Sequence, residues 1–211
     1  MKENKLFKNL LQLPVLRNRF LKNNIYLLLA SFLLFSISVF TSQSQNAQAE
    51  LNKFSAGLQQ NIYNAEAGFN SFVSNKPLIA TLLSGMPNDN SVGSLVSEQQ
   101  YYFIYKNTEG FNRLIFWSTQ KVLPDSAVIN SPAEKGFVQL SNGGYFFQKK
   151  LSGDQNFIAL LPVKWNYIVT NNYLKNDFAI SPETSRNFGI STANNGISIY
   201  AKNKTFLFSL Q

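Results

Sequence analysis

Histidine and cysteine are both absent from the 211 residues. Histidine is the usual general base and the commonest metal ligand, and the cysteine thiolate is both a nucleophile and a ligand. The sequence also lacks a glycine-rich phosphate loop, a paired-carboxylate motif and a metal-spaced cluster. We therefore expect no catalytic residue, no metal site and no cofactor, and an enzyme is the weakest functional class. The acidic residues of the C-terminal part are scattered, mostly in predicted turns: Glu98, Glu109, Asp125, Glu134, Asp154, Asp177 and Glu183.

Four residues on or beside predicted strands have side chains suited to binding a small molecule. Trp117, Tyr145 and Trp165 offer aromatic faces, which give large contact areas, and the guanidinium of Arg113 can bind an anion. Aromatic residues at alternate strand positions are also the ordinary content of a hydrophobic core. These four residues are therefore candidate contacts for an unknown small-molecule ligand, with core packing as the alternative interpretation.

The strands that would position these residues are predicted from short runs of aromatic and branched side chains. Because the runs follow helices instead of alternating with them, they predict an antiparallel sheet in an α+β domain. The six runs form three hairpin-like pairs: 99–106 with 113–118, 144–151 with 156–163, and 196–200 with 205–210.

Two long connections separate the strand pairs. They cover residues 119–135 and residues 171–195, and we expect a short helix at 173–178 in the second. Long loops in a compact domain are often functional, for instance as lids over a pocket. Simple surface insertion is the alternative.

Before the strands, residues 42–84 have helical periodicity. Apolar residues recur at steps of three and four, with polar residues between them. This pattern predicts a long amphipathic helix over 43–74, which either lies across a sheet or forms a dimer seam. Pro77 restarts the pattern as a short helix, and residues 85–97 are expected to form a loop. The apolar stripe consists of Leu51, Phe54, Leu58, Ile62, Ala65, Phe69 and Phe72.

Residues 24–41 are predicted to form a transmembrane helix. No charged residue occurs from Asn23 to Ala49, and these 18 residues would extend over about 27 Å, close to the thickness of a bilayer core. The first 22 residues carry six basic side chains and one acidic one, which predicts a cytoplasmic N-terminus. Much of the net charge of +8 lies in this tail, so nucleic acid is not an expected partner. The alternative is a signal peptide cleaved after Ala49, with Glu50 as the mature N-terminus.

Several segments resemble the N-terminal sensor region of bacterial membrane sensor histidine kinases. They read FNSFVSNKPLIATLLSG, YYFIYKNTEGFNRLIFWSTQKVLP, VQLSNGGYFF and IALLPVKWNYIVTNNYLKNDF. The resemblance is closest to the extracytoplasmic segments of Bacteroidetes kinases, whose folds are similar to the Cache and PAS-like class. It implies a long helix that supports an antiparallel sheet, and a homodimer formed through the membrane-proximal helix. The phosphoaccepting histidine and the ATP-binding domain of such kinases are not found in these residues.

Together these patterns predict four segments. A basic cytoplasmic tail (1–23) precedes the transmembrane helix (24–41), then come the helices (42–84) and a sensor domain with an antiparallel sheet (85–211). We expect the chain to be the signal-input part of a two-component sensor histidine kinase in the inner (cytoplasmic) membrane, with its sensor domain periplasmic and the lipid bilayer as a partner. The alternative is a stand-alone membrane-anchored or secreted binding or assembly protein without kinase activity.

Overall fold

A helix of 61 residues, α1 (Pro14–Ser74), precedes all the strands. The computed structural model describes residues 14–84, 93, 95–96, 99–108, 110–180 and 188–211. More than half of the predicted tail at 1–23, and most of the predicted loop at 85–97, lie outside these residues. The chain divides into two units, Met1–Ala49 and Glu50–Gln211, and each is described here by itself.

The described part of the first unit is helical and apolar. The large apolar side chains that are described between Ile25 and Phe40 are exposed, with Phe40 exposed by 74% and Phe32 by 70%. Among the described helices, α1 is long and apolar enough to span a bilayer, by length and composition alone. Signal sequences near an N-terminus have the same character.

In the second unit, the predicted apolar stripe faces the protein interior. Phe54, Leu58 and Ile62 are buried in one core cluster, and Phe69 and Phe72 are buried in another. The predicted packing of this helix against a sheet is therefore observed along the stripe. Side chains buried within one chain are not available to a partner helix, so a dimer seam cannot use these positions.

The end of α1 and the start of α2 (Lys76–Leu83) follow from two residues. The ring of Pro77 cannot fit inside a continuing helix, because it clashes with the carbonyl one turn earlier and lacks an N–H donor. Asn75 leaves the helical conformation, and its side chain accepts a hydrogen bond from the Leu78 amide at 3.2 Å. This bond caps α2 at its N-terminus.

The main sheet has five antiparallel strands in the order β2-β1-β5-β4-β3. Two of the predicted hairpins are confirmed as β1–β2 and β4–β5. The turn of the second places Gly153 at φ +62°, a conformation that favours glycine. The strands are β1 (Tyr101–Thr108), β2 (Phe111–Trp117), β3 (Lys135–Leu140), β4 (Gly143–Ser152) and β5 (Gln155–Trp165).

Strand β3 was not predicted, although the turn signal at Asn142 and Gly143 was. Its side chains are mostly half-buried, because it forms an edge of the sheet, and so they do not alternate cleanly between apolar and polar. A short helix, α3 (Ser126–Ile129), precedes β3 within the predicted connection 119–135. Asp125 caps this helix by accepting a hydrogen bond from the Val128 amide at 3.0 Å.

The predicted helix at 173–178 is wrong. The side chain of Asn171 accepts hydrogen bonds from the amides of Tyr173 and Leu174, which makes a turn. Farther along, Asp177 and Ala179 pair with the backbone of β5 in an extended conformation. The local Asn-mediated bonds and the strand pairing replace the helix that the sequence suggested.

A second sheet has three antiparallel strands in the order β6-β8-β7. It confirms the third predicted hairpin, β7 (Ile197–Tyr200) with β8 (Phe206–Leu210), and adds the short β6 (Ile190–Ser191). Its apolar side chains share a core cluster with α1 and the main sheet. The predicted α+β class, with a long N-terminal helix and an antiparallel sheet, is therefore confirmed.

Candidate ligand-binding site

A gap along strand β5 creates a cavity in the second unit. Strand β4 pairs with one edge of β5 along its whole length, whereas β1 pairs with the other edge only as far as Tyr101 opposite Leu160. Farther along, the segment 177–179 covers β5, with Ala179 donating to the carbonyl of Val163 at 2.9 Å. Between these two neighbours, Leu161 and Pro162 lie at an edge that none of the described strands covers.

An irregularity in β5 lies at the same place. Gly144 of β4 is opposite Lys164, but the next residue, Tyr145, is opposite Pro162, so Val163 has no partner in the register. An extra residue of this kind bends a strand and redirects its side chains, and such bulges are common beside functional sites. Pro162 has no amide N–H to leave unpaired at the open edge.

The cavity at this gap has a volume of about 750 Å³. Sites for small organic molecules are typically about 300–1,000 Å³. Its apolar walls come from β1, β2, β5 and the segment that returns along β5. Its polar side chains come from α1, the residues just before β1, and the end of β2 with the loop that follows. The apolar group includes Tyr101, Trp117, Leu161, Pro162, Trp165 and Ile180, and the polar group includes Asn61, Gln99, Ser118, Thr119, Gln120 and Lys121.

Two of the four residues predicted from sequence meet in this cavity. Trp117 lies at the end of β2 and is exposed by 48%, and Trp165 lies at the end of β5. The Trp165 ring stacks on Tyr167, with centroids 5.7 Å apart, and meets the Tyr145 ring edge to face at 6.1 Å. Contacts on two sides hold the Trp165 indole in a fixed orientation.

Tyr145, the third predicted residue, lies behind the cavity wall in the core. It is fully buried, and its hydroxyl donates a hydrogen bond to Oδ1 of Asn142 at 2.8 Å. Burial raises the pKa of Tyr145 well above 10, and the neighbouring Tyr101 adds to the rise. Burial, together with Tyr167, also raises the pKa of Tyr101. These phenols therefore stay protonated at neutral pH.

Arg113, the fourth predicted residue, is outside the cavity lining. It is exposed on β2, opposite Lys106 of β1. The cation that the structure places at the cavity is Lys121, whose Nζ lies 6.0 Å from the centre of the Tyr101 ring. The sequence pattern missed Lys121 because it sits in a loop with no periodicity, beyond the end of β2.

Asn142 connects the cavity loop to the core. Its amide nitrogen donates to the carbonyl of Lys121 at 2.9 Å, while its oxygen accepts from the hydroxyl of Tyr145. Lys121 also donates its own amide to the hydroxyl oxygen of Thr119 at 3.2 Å. Both backbone polar groups of Lys121, its carbonyl and its amide, therefore have partners. These bonds fix the loop that carries the polar side chains of the cavity.

A smaller depression of about 440 Å³ is also lined by Trp165. Lys164 lines it and donates to the carbonyl of Phe188 at 2.7 Å, with its Nζ 4.8 Å from the Phe178 ring. Burial lowers the pKa of Lys164, and the carboxylate of Asp177 partly opposes that change. Because its ammonium already has these partners, this lysine is part of the packing.

Comparison with protein families, with curated proteins and with solved structures finds no match. The residues that the structure describes contain no group of three or more carboxylates arranged to hold a metal ion.

Outside the cavity, two polar residues of α1 bind the β7–β8 hairpin. The amide of Gln59 exchanges two hydrogen bonds with the backbone of Tyr200, at 2.5 and 2.9 Å. Two turns later, the buried carboxylate of Glu66 accepts from the ammonium of Lys135 at 2.6 Å and from the amide of Lys202 at 2.8 Å. The sequence pattern gave no signal for either residue, because polar positions on an amphipathic helix are usually solvated.

Proposed function

We propose that this chain is the sensing and signal-input part of a two-component sensor histidine kinase. In this proposal α1 crosses the inner membrane once, with the N-terminus in the cytoplasm and the second unit in the periplasm. The observation that carries the proposal is the meeting of Trp117 and Trp165 in one cavity, whose described lining residues carry a single positive charge and several neutral polar groups. The Cache or PAS-like identity remains part of the proposal.

The proposed mechanism needs a ligand that favours one of two arrangements of α1. A ligand shifts a conformational equilibrium only by its difference in affinity for the two states. Asn61 of α1 lines the cavity directly, one turn before the buried Ala65. A ligand that contacts Asn61 can therefore favour one position of the helix over another, and α1 also contains the apolar segment near Ile25 to Phe40.

Ligand binding is tested with the full chain in nanodiscs of zwitterionic lipid. The protein has two tryptophans, and both line the cavity, so its intrinsic fluorescence reports on this site. We expect at least one member of a panel of small carboxylates, amides, amines and sugars to change the emission and to saturate. The single-tryptophan variants Trp117→Phe and Trp165→Phe should each still show a saturable change, with weaker binding because each loses part of an aromatic wall. A panel without any saturable change would count against the sensing role.

Membrane orientation is tested with a single introduced cysteine, since the natural chain has none. Asn172 is exposed on the loop after β5, and Asn172→Cys gives a unique labelling site. The label is a maleimide that crosses the permeabilised outer membrane of intact cells but cannot cross the inner membrane. This maleimide should label the introduced cysteine. Labelling only after disruption of the inner membrane would place the domain in the cytoplasm and contradict the proposal.

The kinase part of the proposal is tested by the coding sequence after Gln211. We expect a second apolar span, then a helix with a phosphoaccepting histidine, then glycine-rich ATP-binding motifs. A stop codon at that position would favour a stand-alone binding or assembly protein.

One observation favours that second candidate function. The loop after β5 exposes three large apolar side chains, Ile168, Val169 and Tyr173, by 97%, 72% and 94%. Exposed apolar groups of this kind often contact a protein partner. The secreted version predicts a mature N-terminus at Glu50, which is also where the second structural unit begins. Mass spectrometry of the purified protein distinguishes a cleaved chain from an intact one.

A further inference from the structure

We propose that the cavity binds a small carboxylate ligand that has a planar aromatic body, and this inference rests on the proposed ligand-binding role of the cavity. The described lining residues include one cation, Lys121, and no carboxylate. A ligand with an ammonium group would meet a like charge there, whereas a carboxylate would meet an opposite one.

The ammonium of Lys121 is available for such a ligand. Among the residues that the structure describes, no carboxylate lies within salt-bridge distance of it, and its neighbour is the face of Tyr101 at 6.0 Å. An exposed lysine beside an aromatic face makes only a weak cation–π contact at this distance. A ligand carboxylate can therefore bind the ammonium without displacing a stronger partner.

Two hydroxyl groups in the same loop add hydrogen-bond donors. The hydroxyl oxygen of Ser118 accepts from the Tyr102 amide at 2.9 Å, and that of Thr119 accepts from the Lys121 amide at 3.2 Å. Each hydroxyl keeps its proton for another acceptor. Three groups that can donate thus occur within four consecutive residues, which suits the two oxygens of a carboxylate.

The aromatic body of the ligand is inferred from the side chains that form the walls of the cavity. Trp117, Trp165 and Tyr101 line the cavity, and aromatic rings favour stacked or edge-to-face partners. Leu161 and Pro162 provide apolar surface at the unpaired edge of β5. A flat apolar group between these side chains would be removed from water while its carboxylate remains near the polar loop.

The test compares three probes that share one body and differ in charge: 3-phenylpropionate, 3-phenylpropionamide and 3-phenylpropylamine. Each is titrated at neutral pH against the full chain in zwitterionic nanodiscs, with tryptophan emission as the readout and empty nanodiscs as a blank. We expect the carboxylate to bind about tenfold more tightly than the amine, with the amide between them.

Three variants connect this preference to Lys121. Lys121→Gln should weaken carboxylate binding about tenfold and remove the preference, and Lys121→Arg should keep it. Lys53→Gln is the matched control, because it removes the same charge from an exposed position of α1 outside the cavity. This variant should bind all three probes as the natural chain does.

The outcomes separate this inference from the proposed function. Equal affinity for all three probes, or a carboxylate preference that survives in Lys121→Gln, overturns the inference but leaves the cavity as a binding site. Failure of all three probes to change the emission also overturns it. The binding role itself then depends on the wider panel described above.

Discussion

Glu66 shows how much a single buried charge contributes to this fold. Its side chain is almost fully buried, yet both carboxylate oxygens have partners, the ammonium of Lys135 and the amide of Lys202. Removing one member of a buried ion pair leaves the other member without compensation, which typically costs more than the pair itself contributed. Glu66 therefore connects α1 to two other elements through one side chain: strand β3, which begins at Lys135, and the turn between β7 and β8, which contains Lys202.

We expect Glu66→Ala to lower the free energy of unfolding by about 3 kcal/mol. The measurement is chemical denaturation of the full chain, followed by tryptophan emission. Glu50→Ala is the matched control, because Glu50 is exposed on the same helix, and it should change the value by less than about 0.5 kcal/mol. Similar losses for the two variants would mean that the buried carboxylate has no special role.

The buried phenol of Tyr145 predicts that the stability of the folded protein depends on pH. In the unfolded chain its phenol ionises near the ordinary pKa of 10, whereas burial keeps it protonated to higher pH in the native state. The native state therefore binds more protons above pH about 10, and stability falls as the pH rises through that value. The contribution of one phenol is at most about 1.4 kcal/mol per pH unit.

The comparison is between the natural chain and Tyr145→Phe, denatured at several values between pH about 9 and 11. Phenylalanine does not titrate, so the variant should lose less stability across this range, and the lysines common to both proteins cancel in the difference. The variant should be less stable near neutral pH, because Asn142 loses the hydrogen bond from the hydroxyl. Parallel pH profiles for the two proteins would contradict the expected titration.

At the scale of elements, the sequence predicted the helix and the strands whose apolar residues follow a regular pattern. The stripe from Leu51 to Phe72 gave the buried face of α1, and runs of aromatic and branched residues gave three hairpins. Strand β3 was missed because only three of its six residues are apolar and they do not alternate with polar ones. The helix at 173–178 failed because Asn171 makes a local turn. The cavity depends on where β1 begins beside β5, a tertiary alignment that no local pattern encodes.

The hydrogen bonds of Gln59 predict that α1 stabilises the β7–β8 hairpin directly. Gln59→Ala removes both bonds to Tyr200, so hydrogen exchange in residues 197–210 should become faster, by about fivefold to tenfold. The next residue offers a matched control, because Gln60 is exposed and bonds to Asn64 on the helix itself. Gln60→Ala should leave exchange in the hairpin unchanged. Equal effects would show that the Gln59 bonds do not support the hairpin.

At the scale of the whole molecule, the burial of α1 restricts where a dimer can form. Residues from Phe54 to Phe72 use their apolar stripe in the core of their own chain, whereas the described side chains from Asn46 to Glu50 are exposed. A homodimer through this helix, which the sequence resemblance implies, would therefore use its membrane-proximal part. A helical seam would bring every third or fourth residue of that part close to its copy.

Cysteine substitutions at each position from 46 to 53 test this arrangement in membranes. Because the chain has no natural cysteine, any disulfide-linked dimer arises from the introduced residue. We expect oxidation to cross-link positions that recur at steps of three and four, and Ile62→Cys, which is fully buried, to remain monomeric. Absence of cross-linking at all eight positions would contradict a dimer through this segment.

The exposed position of Arg113 has a consequence for solubility. Strand β2 forms an outer edge of the five-stranded sheet, and no other described strand pairs with its far side. Such an edge can add a strand from a second molecule and begin aggregation, and exposed charged side chains on the edge oppose this association. The guanidinium of Arg113 is thus placed to keep copies of the sheet from joining edge to edge, which protects a domain that is rich in aromatic β-strands.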